Sequence, residues 1–149
     1  MKDLAGFLFA GMDTTSKVIC SAMLELKRNP DILTKLRSEV SDKILKGAEL
    51  KDVNMVDLIT SEALDECEQL GYLAKESLRK HPSAGMTLGY ETLDQVTLKS
   101  GIVIPKSSTL TMGIIPLHFN SSIWHEPDRF VLDRFNPESE WYLTPQGKP

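Results

Sequence analysis

Apolar residues recur every three or four positions through the first 28 residues of the chain. This spacing predicts one long helix from Lys2 to Arg28, because no proline interrupts it before Asn29-Pro30 ends it. The first half of this helix is apolar around its whole circumference, which is typical of a helix buried on all sides. The residues of that half are Leu4, Phe7, Leu8, Phe9 and Met12.

Two further helices are predicted before the middle of the chain. An amphipathic pattern spans Asp31–Lys46 and closes at Gly47, and a second pattern spans Asp65–His81 and is stopped by Pro82. The positions of the first pattern that we expect to face inward are Ile32, Leu33, Leu36, Val40 and Ile44.

The character of the sequence changes after Pro82. Three short apolar runs, Val96–Leu98, Ile102–Ile104 and Leu110–Ile115, predict strands, and Gly101 can supply the positive φ of a hairpin turn between the first two. Residues 117–149 show little periodicity but many aromatic residues, so we expect them to pack against the rest. The predicted fold class is α+β: mostly helical, with small antiparallel β-sheets between residues 87 and 115.

Composition and charge narrow the classes of function. The 149 residues fit one domain or part of one, and charged residues make up 26% of them, with a net charge of −4. Without a basic stripe, nucleic acid is not an expected partner. The two cysteines, Cys20 and Cys67, are too far apart for a CxxC motif. The apolar run Leu4–Met12 is well short of the roughly 20 residues that span a bilayer.

The hexapeptide AGMDTT, residues 10–15, breaks the local rules of a helix. Glycine costs about 1 kcal/mol relative to alanine inside a helix, and aspartate and threonine prefer caps and turns. One interpretation is a functional site, in which Gly11 lets a ligand approach the backbone while Asp13 and Thr14 handle a proton. The alternative is structural: Asp13 to Thr15 form an N-cap, and Gly11 belongs to a preceding loop.

Glu76 and Arg79 form an acid and base pair three residues apart in the third predicted helix. Tyr72 and Leu73 lie on the same side as Glu76, which favours burial of the pair, and a buried pair must find further partners. Arg134 is a candidate third member. The alternative is an exposed pair that contributes little to stability.

Other common sites are not indicated. The three histidines, His81, His118 and His125, lack the spacing of a zinc site, so we expect no metal ligands in this chain. No GxSxG elbow, phosphate-binding P-loop or dinucleotide fingerprint is present.

Taken in order, four motifs resemble one family. AGMDTT is followed by ESLR with KHP, then by IPKSSTL, then by WHEPDRFVLDRF, and this collinear series is similar to the haem-thiolate monooxygenases of the cytochrome P-450 superfamily. The resemblance covers essentially the whole chain. It implies that residues 2–28 form the distal helix over the haem, and that residues 65–81 form the helix of the family's ExxR motif.

The resemblance also implies roles for single residues. Arg134 falls on the arginine of the family's PERF segment, within an irregular meander over residues 117–149, and completes a structural triad with Glu76 and Arg79. Ala10 and Gly11 would line the distal face of the haem and leave room for dioxygen, while Asp13 and Thr14 would be catalytic and deliver protons.

The sequence departs from the family in three places. Leu132 and Asp133 replace the proline and glutamate of PERF. Gly89 and Tyr90 stand where members often carry an arginine that contacts a haem propionate, so no propionate ligand is assigned. The loop with the axial cysteine is expected beyond Pro149. We therefore expect an internal fragment, from the distal helix to just before that loop, that is inactive alone.

The resemblance implies haem b as the cofactor of the intact relative. Its implied partners are an apolar small-molecule substrate, dioxygen and an electron-donating reductase, with membrane association only through a preceding region. It leaves the localisation open, with the endoplasmic reticulum membrane as the candidate. The competing hypothesis is a helical interaction module or decayed remnant, in which the same residues only pack.

Overall fold

The computed structural model describes residues 2–147, without the side chains of residues 2–5, 9, 50 and 55. The predicted burial of Leu4 and Phe9 therefore falls outside the described side chains, as do the last two residues of the predicted segment 117–149. Helix α1 spans Lys2–Arg28, the bounds that the pattern predicts. It is uninterrupted, and no proline or capping residue divides it.

Helix α2 spans Pro30–Val40, and it corrects the predicted helix 31–46. Pro30 occupies the first turn, where its fixed φ suits a helix and its missing N–H is not needed. Beyond Val40 the chain continues as a wider π-helical turn, Ser41–Leu45, in which Lys46 N donates to Ser41 O over 2.9 Å. Lys46 and Gly47 then take positive φ values of 48° and 89° and end the segment.

The prediction of one helix over residues 65–81 is wrong at its start. The chain forms two short helices, α3 at Met55–Leu58 and α4 at Ser61–Asp65, and helix α5 begins only at Glu68 and ends at Lys80. Cys67 interrupts the helical backbone between α4 and α5, since its φ of −92° and ψ of 78° are not helical. The first free amides of α5 bond to a carboxylate of α2 instead of to the carbonyls of α4, so a tertiary contact replaces helix continuation.

Two small antiparallel sheets follow α5. Strand β1 (Tyr90–Glu91) pairs with β4 (Thr109–Leu110), and β2 (Val96–Thr97) pairs with β3 (Val103–Ile104). The second pair is the predicted hairpin, and Gly101 in its turn has a φ of 86°. Gly89 is required next to β1, because a Cβ there would lie 2.8 Å from a methyl group of Thr109.

The predicted strand Leu110–Ile115 is wrong beyond its first residue. Ladder pairing ends at an isolated bridge between Met86 and Gly113, and Ile114–His118 forms helix α6. Pro116 lacks the N–H that a strand would need, whereas the first turn of a helix tolerates proline. The amides of Ile114 and Ile115 both donate to Gly85 O, which fixes the start of α6.

The core lies where α5 meets α1, α2 and the 3₁₀ turn Leu132–Phe135. A second 3₁₀ turn, Glu140–Tyr142, lies beside the first. The buried apolar residues of this core are Leu36, Tyr72, Leu73, Phe130 and Leu132. The predicted class, α+β and mostly helical with small antiparallel sheets, is confirmed.

The first half of α1 is uncovered. Phe7 is 78% exposed and Met12 is 75% exposed, with Leu8 similar. Apolar side chains at these exposures on one helix indicate a surface that requires a cover.

Candidate functional site

Glu76 and Arg79 lie one helical turn apart on α5, and both side chains are buried. Arg79 Nε donates to Glu76 Oε2 over 2.7 Å, and Arg79 Nη2 donates to Glu76 Oε1 over 2.9 Å. Two parallel hydrogen bonds of this kind are the strongest form of a guanidinium–carboxylate pair. The alternative of an exposed surface pair is therefore wrong.

Arg134 reaches the same carboxylate from the 3₁₀ turn Leu132–Phe135. Its Nε donates to Glu76 Oε1 over 3.3 Å, and the backbone N–H of Val131 donates to the same oxygen over 2.9 Å. The carboxylate thus binds two guanidinium groups and one amide. The structure brings together the three residues that the sequence analysis groups as a triad.

The remaining donors of Arg79 bind backbone carbonyls at the end of α6 and in the segment after it. Its Nη1 donates to His118 O over 3.0 Å and its Nη2 donates to Arg129 O over 3.1 Å. In return, His118 Nδ1 lies 2.9 Å from Arg79 O, where a protonated Nδ1 donates to that carbonyl. Arg79 therefore fixes both ends of the stretch between these two residues.

Arg134 binds the same stretch from its other side. It donates to the carbonyl oxygens of His125, Glu126 and Arg129, the bond to Glu126 O being 2.6 Å long. Trp141 lies against its guanidinium, with the ring centroid 5.1 Å from Cζ. Trp124 covers Arg79 in the same way at 5.3 Å. The aromatic residues exclude water from both cations.

The cluster holds two buried cations and one carboxylate. Burial lowers the pKa of Arg134, the charge of Glu76 raises it, and the nearby charges of Arg79 and Arg129 lower it further. Carbonyl oxygens supply the rest of the stabilisation through their negative dipole ends. The arrangement joins α5 to the segment after α6.

The AGMDTT residues lie inside α1, so the alternative of an N-cap after a loop is wrong. Two hydroxyl groups of this region bond to carbonyl oxygens of the preceding helical turn. Thr14 Oγ1 donates to Ala10 O over 2.7 Å, and Ser16 Oγ donates to Met12 O over 2.6 Å. Bonds of this type back to the preceding turn satisfy a hydroxyl without ending a helix. Gly11 is exposed, and a Cβ built there meets no atom within 4 Å.

Thr14 lies at an open cleft of about 250 Å³ between α1 and the end of α5. Its lining comprises Thr14, Thr15, Val18, Leu78 and Ser83. Asp13 is exposed on the neighbouring face of α1. The cleft and the carboxylate cluster involve the same helix α5, but its exposed Leu78 faces the cleft while Glu76 and Arg79 are buried.

Sequence reasoning missed a buried carboxylate on α1. Glu25 Oε1 lies 2.8 Å from Nε2 of His81, the residue that follows α5. The Glu25 side chain is only 4% exposed. Arg28 Nη1 lies 3.6 Å from the same oxygen. A signal was present, because Glu25 stands among the inward positions Ala22 and Leu26 of an otherwise amphipathic stretch.

Glu39 on α2 is a second carboxylate that the sequence did not single out. Gln69 N donates to Glu39 Oε1 over 2.8 Å and Leu70 N donates to Glu39 Oε2 over 3.0 Å. Free amides and the positive end of the helix dipole favour an anion at this position. No local sequence signal identifies a cap that comes from another helix.

No group of three or more His, Cys, Asp or Glu side chains in residues 2–147 is arranged to hold a metal ion, as far as those side chains are described. Among the helices of the same range, none is both long and apolar enough to cross a membrane.

The chain is mostly helical, and its buried Glu76 binds one arginine of the same helix and one that lies 58 residues later. A long helix with an acid and hydroxyls within its length packs against that helix. Comparison with known proteins gives the family: the model of the cytochrome P450 family matches residues 1–148. The chain belongs to the cytochrome P450 family.

Its relatives are longer proteins. The chain is 34% identical to cytochrome P450 3A18 of Rattus norvegicus over 143 residues, and 35% identical to cytochrome P450 4F12 of Homo sapiens over 139 residues. It is 30% identical to lithocholate 6-beta-hydroxylase of Mesocricetus auratus. Each alignment covers 93% of this chain and 25 or 26% of the relative, so the chain spans about a quarter of their length.

Membership of the family implies haem b as the cofactor of the intact protein. The described residues fit one side of such a group, because α1 combines an open position at Gly11 with exposed apolar side chains. They do not supply its thiolate ligand. Burial raises the pKa of the Cys67 thiol, which donates to Ala63 O over 3.3 Å, and Cys20 is exposed on α1.

Proposed function

We propose that this chain is a segment of a haem-dependent monooxygenase, an oxidoreductase that inserts one atom of dioxygen into an apolar substrate. The observation that carries the proposal is that helix α1 is unbroken in a chain of this family. Its middle turns contain Ala10, Gly11, Asp13 and Thr14. When bound, haem with an axial thiolate supplies the activation of dioxygen.

Ala10 and Gly11 provide space in this proposal. Neither side chain is bulky, and the position of a Cβ at Gly11 has no neighbour within 4 Å. A small molecule such as dioxygen can therefore approach the helix backbone at this turn, while the larger side chains of Phe7 and Met12 restrict the space before and after it.

Thr14 and Asp13 act on protons. The Thr14 hydroxyl directs its proton to Ala10 O, so its lone pairs remain to accept a hydrogen bond from a water or an acidic group in the cleft. Asp13 is exposed and exchanges protons with solvent. Together they hold and renew a proton beside the reacting oxygen, which is general acid catalysis.

Glu76, Arg79 and Arg134 form the structural triad of the proposal. Glu76 binds both arginines, each arginine also binds backbone carbonyl oxygens, and all three residues are buried. Their role is to hold α5 against the segment after α6. Removing one member leaves buried charge without compensation.

The axial cysteine of the intact enzyme comes from beyond Pro149, and the isolated chain is inactive. A spectrum of the reduced, carbon monoxide-bound form of residues 1–149 mixed with haem checks this proposal. Nitrogen-ligated or unligated haem is the expected result. A thiolate-ligated band would contradict it, because neither Cys20 nor Cys67 is placed as a ligand.

The intact enzyme takes an apolar small molecule, dioxygen and electrons from a reductase partner. One relative carries the name lithocholate 6-beta-hydroxylase. The intact protein associates with a membrane through a region that precedes this segment, in the endoplasmic reticulum.

The proposal is tested with Thr14→Ala in the full-length holoenzyme. Haem content and substrate affinity should match the wild type, while product formed per electron falls and peroxide release rises. Thr34→Ala is the matched control, because Thr34 Oγ1 makes the same bond to Pro30 O, over 2.9 Å, on the exposed side of α2. Equal product per electron in Thr14→Ala and Thr34→Ala would refute the role of Thr14.

A further inference from the structure

One stripe of α1 faces the chain directly after α5. An α-helix turns 100° per residue, so Thr14 and Glu25, about three turns apart, lie within about 20° of one another around the axis. Lys17 and Val18 lie between them on the flanks of the same stripe. The stripe spans about 16 Å along the helix.

The three residues after α5 lie along this stripe: two contact it and the third faces it across the cleft. Glu25 Oε1 binds His81 Nε2 over 2.8 Å, and Lys17 Nζ donates to Pro82 O over 3.2 Å. Ser83 lines the cleft together with Thr14. The segment 81–83 therefore runs along α1 from Glu25 towards Thr14.

Glu25 is the buried anchor of this contact. Its carboxylate also lies near Arg28 Nη1, at 3.6 Å, and near Asn29 Nδ2, at 3.5 Å, but these groups belong to its own end of α1. The bond to His81 is thus the contact that joins the carboxylate to another element. A buried carboxylate that lost it would be left with the long contacts alone.

We propose that Glu25 is a positioning residue for Thr14, acting through His81. This inference rests on the function proposed above. Because α1 is one rigid helix, a contact that fixes its rotation and axial position at Glu25 fixes them at Thr14 as well. The hydroxyl is thereby held opposite Ser83 and Leu78, and the cleft keeps its width.

The experiment compares variants of the full-length holoenzyme at equal haem content. Glu25→Ala and His81→Ala should each lower product per electron by severalfold and raise peroxide release, since a displacement of 1 Å can cost up to about 100-fold in rate. Glu25→Gln should restore most of the yield, because the amide oxygen can still accept from His81. The double variant should match the single ones, since both lose one contact.

Glu49→Ala is the control, because Glu49 pairs with Lys51 on an exposed turn, at 2.6 Å, away from α1. Wild-type yield in both His81→Ala and Glu25→Ala would overturn the inference. If Glu25→Ala does not fold, His81→Ala decides alone, since His81 is only partly buried. If Thr14→Ala keeps a wild-type yield, the proposed function fails; if only the Glu25 and His81 variants do, this inference alone fails.

Discussion

Arg134 lies 58 residues after Glu76 in the chain, yet its Nε donates to Glu76 Oε1 over 3.3 Å in a buried environment. The contact joins the 3₁₀ turn Leu132–Phe135 to the middle of α5. The segment between them is largely irregular, so this pair helps to fix the position of the 3₁₀ turn relative to α5.

Replacing Glu76 by alanine should destabilise the full-length protein by about 3–5 kcal/mol, because two buried guanidinium groups lose their shared anion. Chemical denaturation and the yield of haem-loaded protein measure the effect. Glu126→Ala is the control, since Glu126 pairs with Arg129 on the exposed surface and its loss should change little. A wild-type unfolding midpoint in Glu76→Ala would contradict the structural role of the triad.

The carboxylate of Glu39 should protect two amides at the start of α5. Replacing Glu39 by alanine removes the acceptor of the amides of Gln69 and Leu70 and should cost about 0.5–2 kcal/mol, as loss of a cap does. Hydrogen exchange at both amides should accelerate. The amide of His81, which donates to Ser77 O at the other end of α5, serves as the internal control. Unchanged exchange at Gln69 would sink this assignment.

Cys67 should react slowly with alkylating reagents. Burial raises the pKa of its thiol, and the negative charges of Glu39 and Glu66 raise it further. At neutral pH, Cys67 therefore forms less of the reactive thiolate than a cysteine with an ordinary pKa. Alkylation by iodoacetamide, followed by mass spectrometry, should label the exposed Cys20 first and Cys67 only as the pH rises above the usual thiol range. Both cysteines should react alike in denaturant; equal rates in the folded protein would disprove the prediction.

The sequence predicts the features that depend on local order. The bounds of α1 follow from the absence of proline and from recurrent apolar residues, and the β2–β3 hairpin follows from two short apolar runs around Gly101. The pairing of Glu76 with Arg79 follows from their spacing on one helix. Arg134 could be named only as a candidate, and the family resemblance added its place in the triad, because nothing local links it to α5.

The features that the sequence does not predict depend on contacts between distant elements. The break at Cys67 exists because Glu39, about 30 residues earlier, accepts from the first amides of α5. Glu25 is buried because His81 approaches it after the chain has turned back through α2. In both cases the acceptor lies on one helix and its donor on or directly after another, so no spacing along the chain signals the pair.

The guanidinium groups of Arg79 and Arg134 bind the end of α6 and the segment after it through carbonyl oxygens, those of His118, Glu126 and Arg129 among them. Every amino acid provides a carbonyl, so these contacts recognise the path of the backbone and not the identity of its side chains. The segment can therefore accumulate substitutions at many positions without losing its route. One arginine on α5 and one inside the segment itself would be enough to keep a loop of changing sequence in one shape.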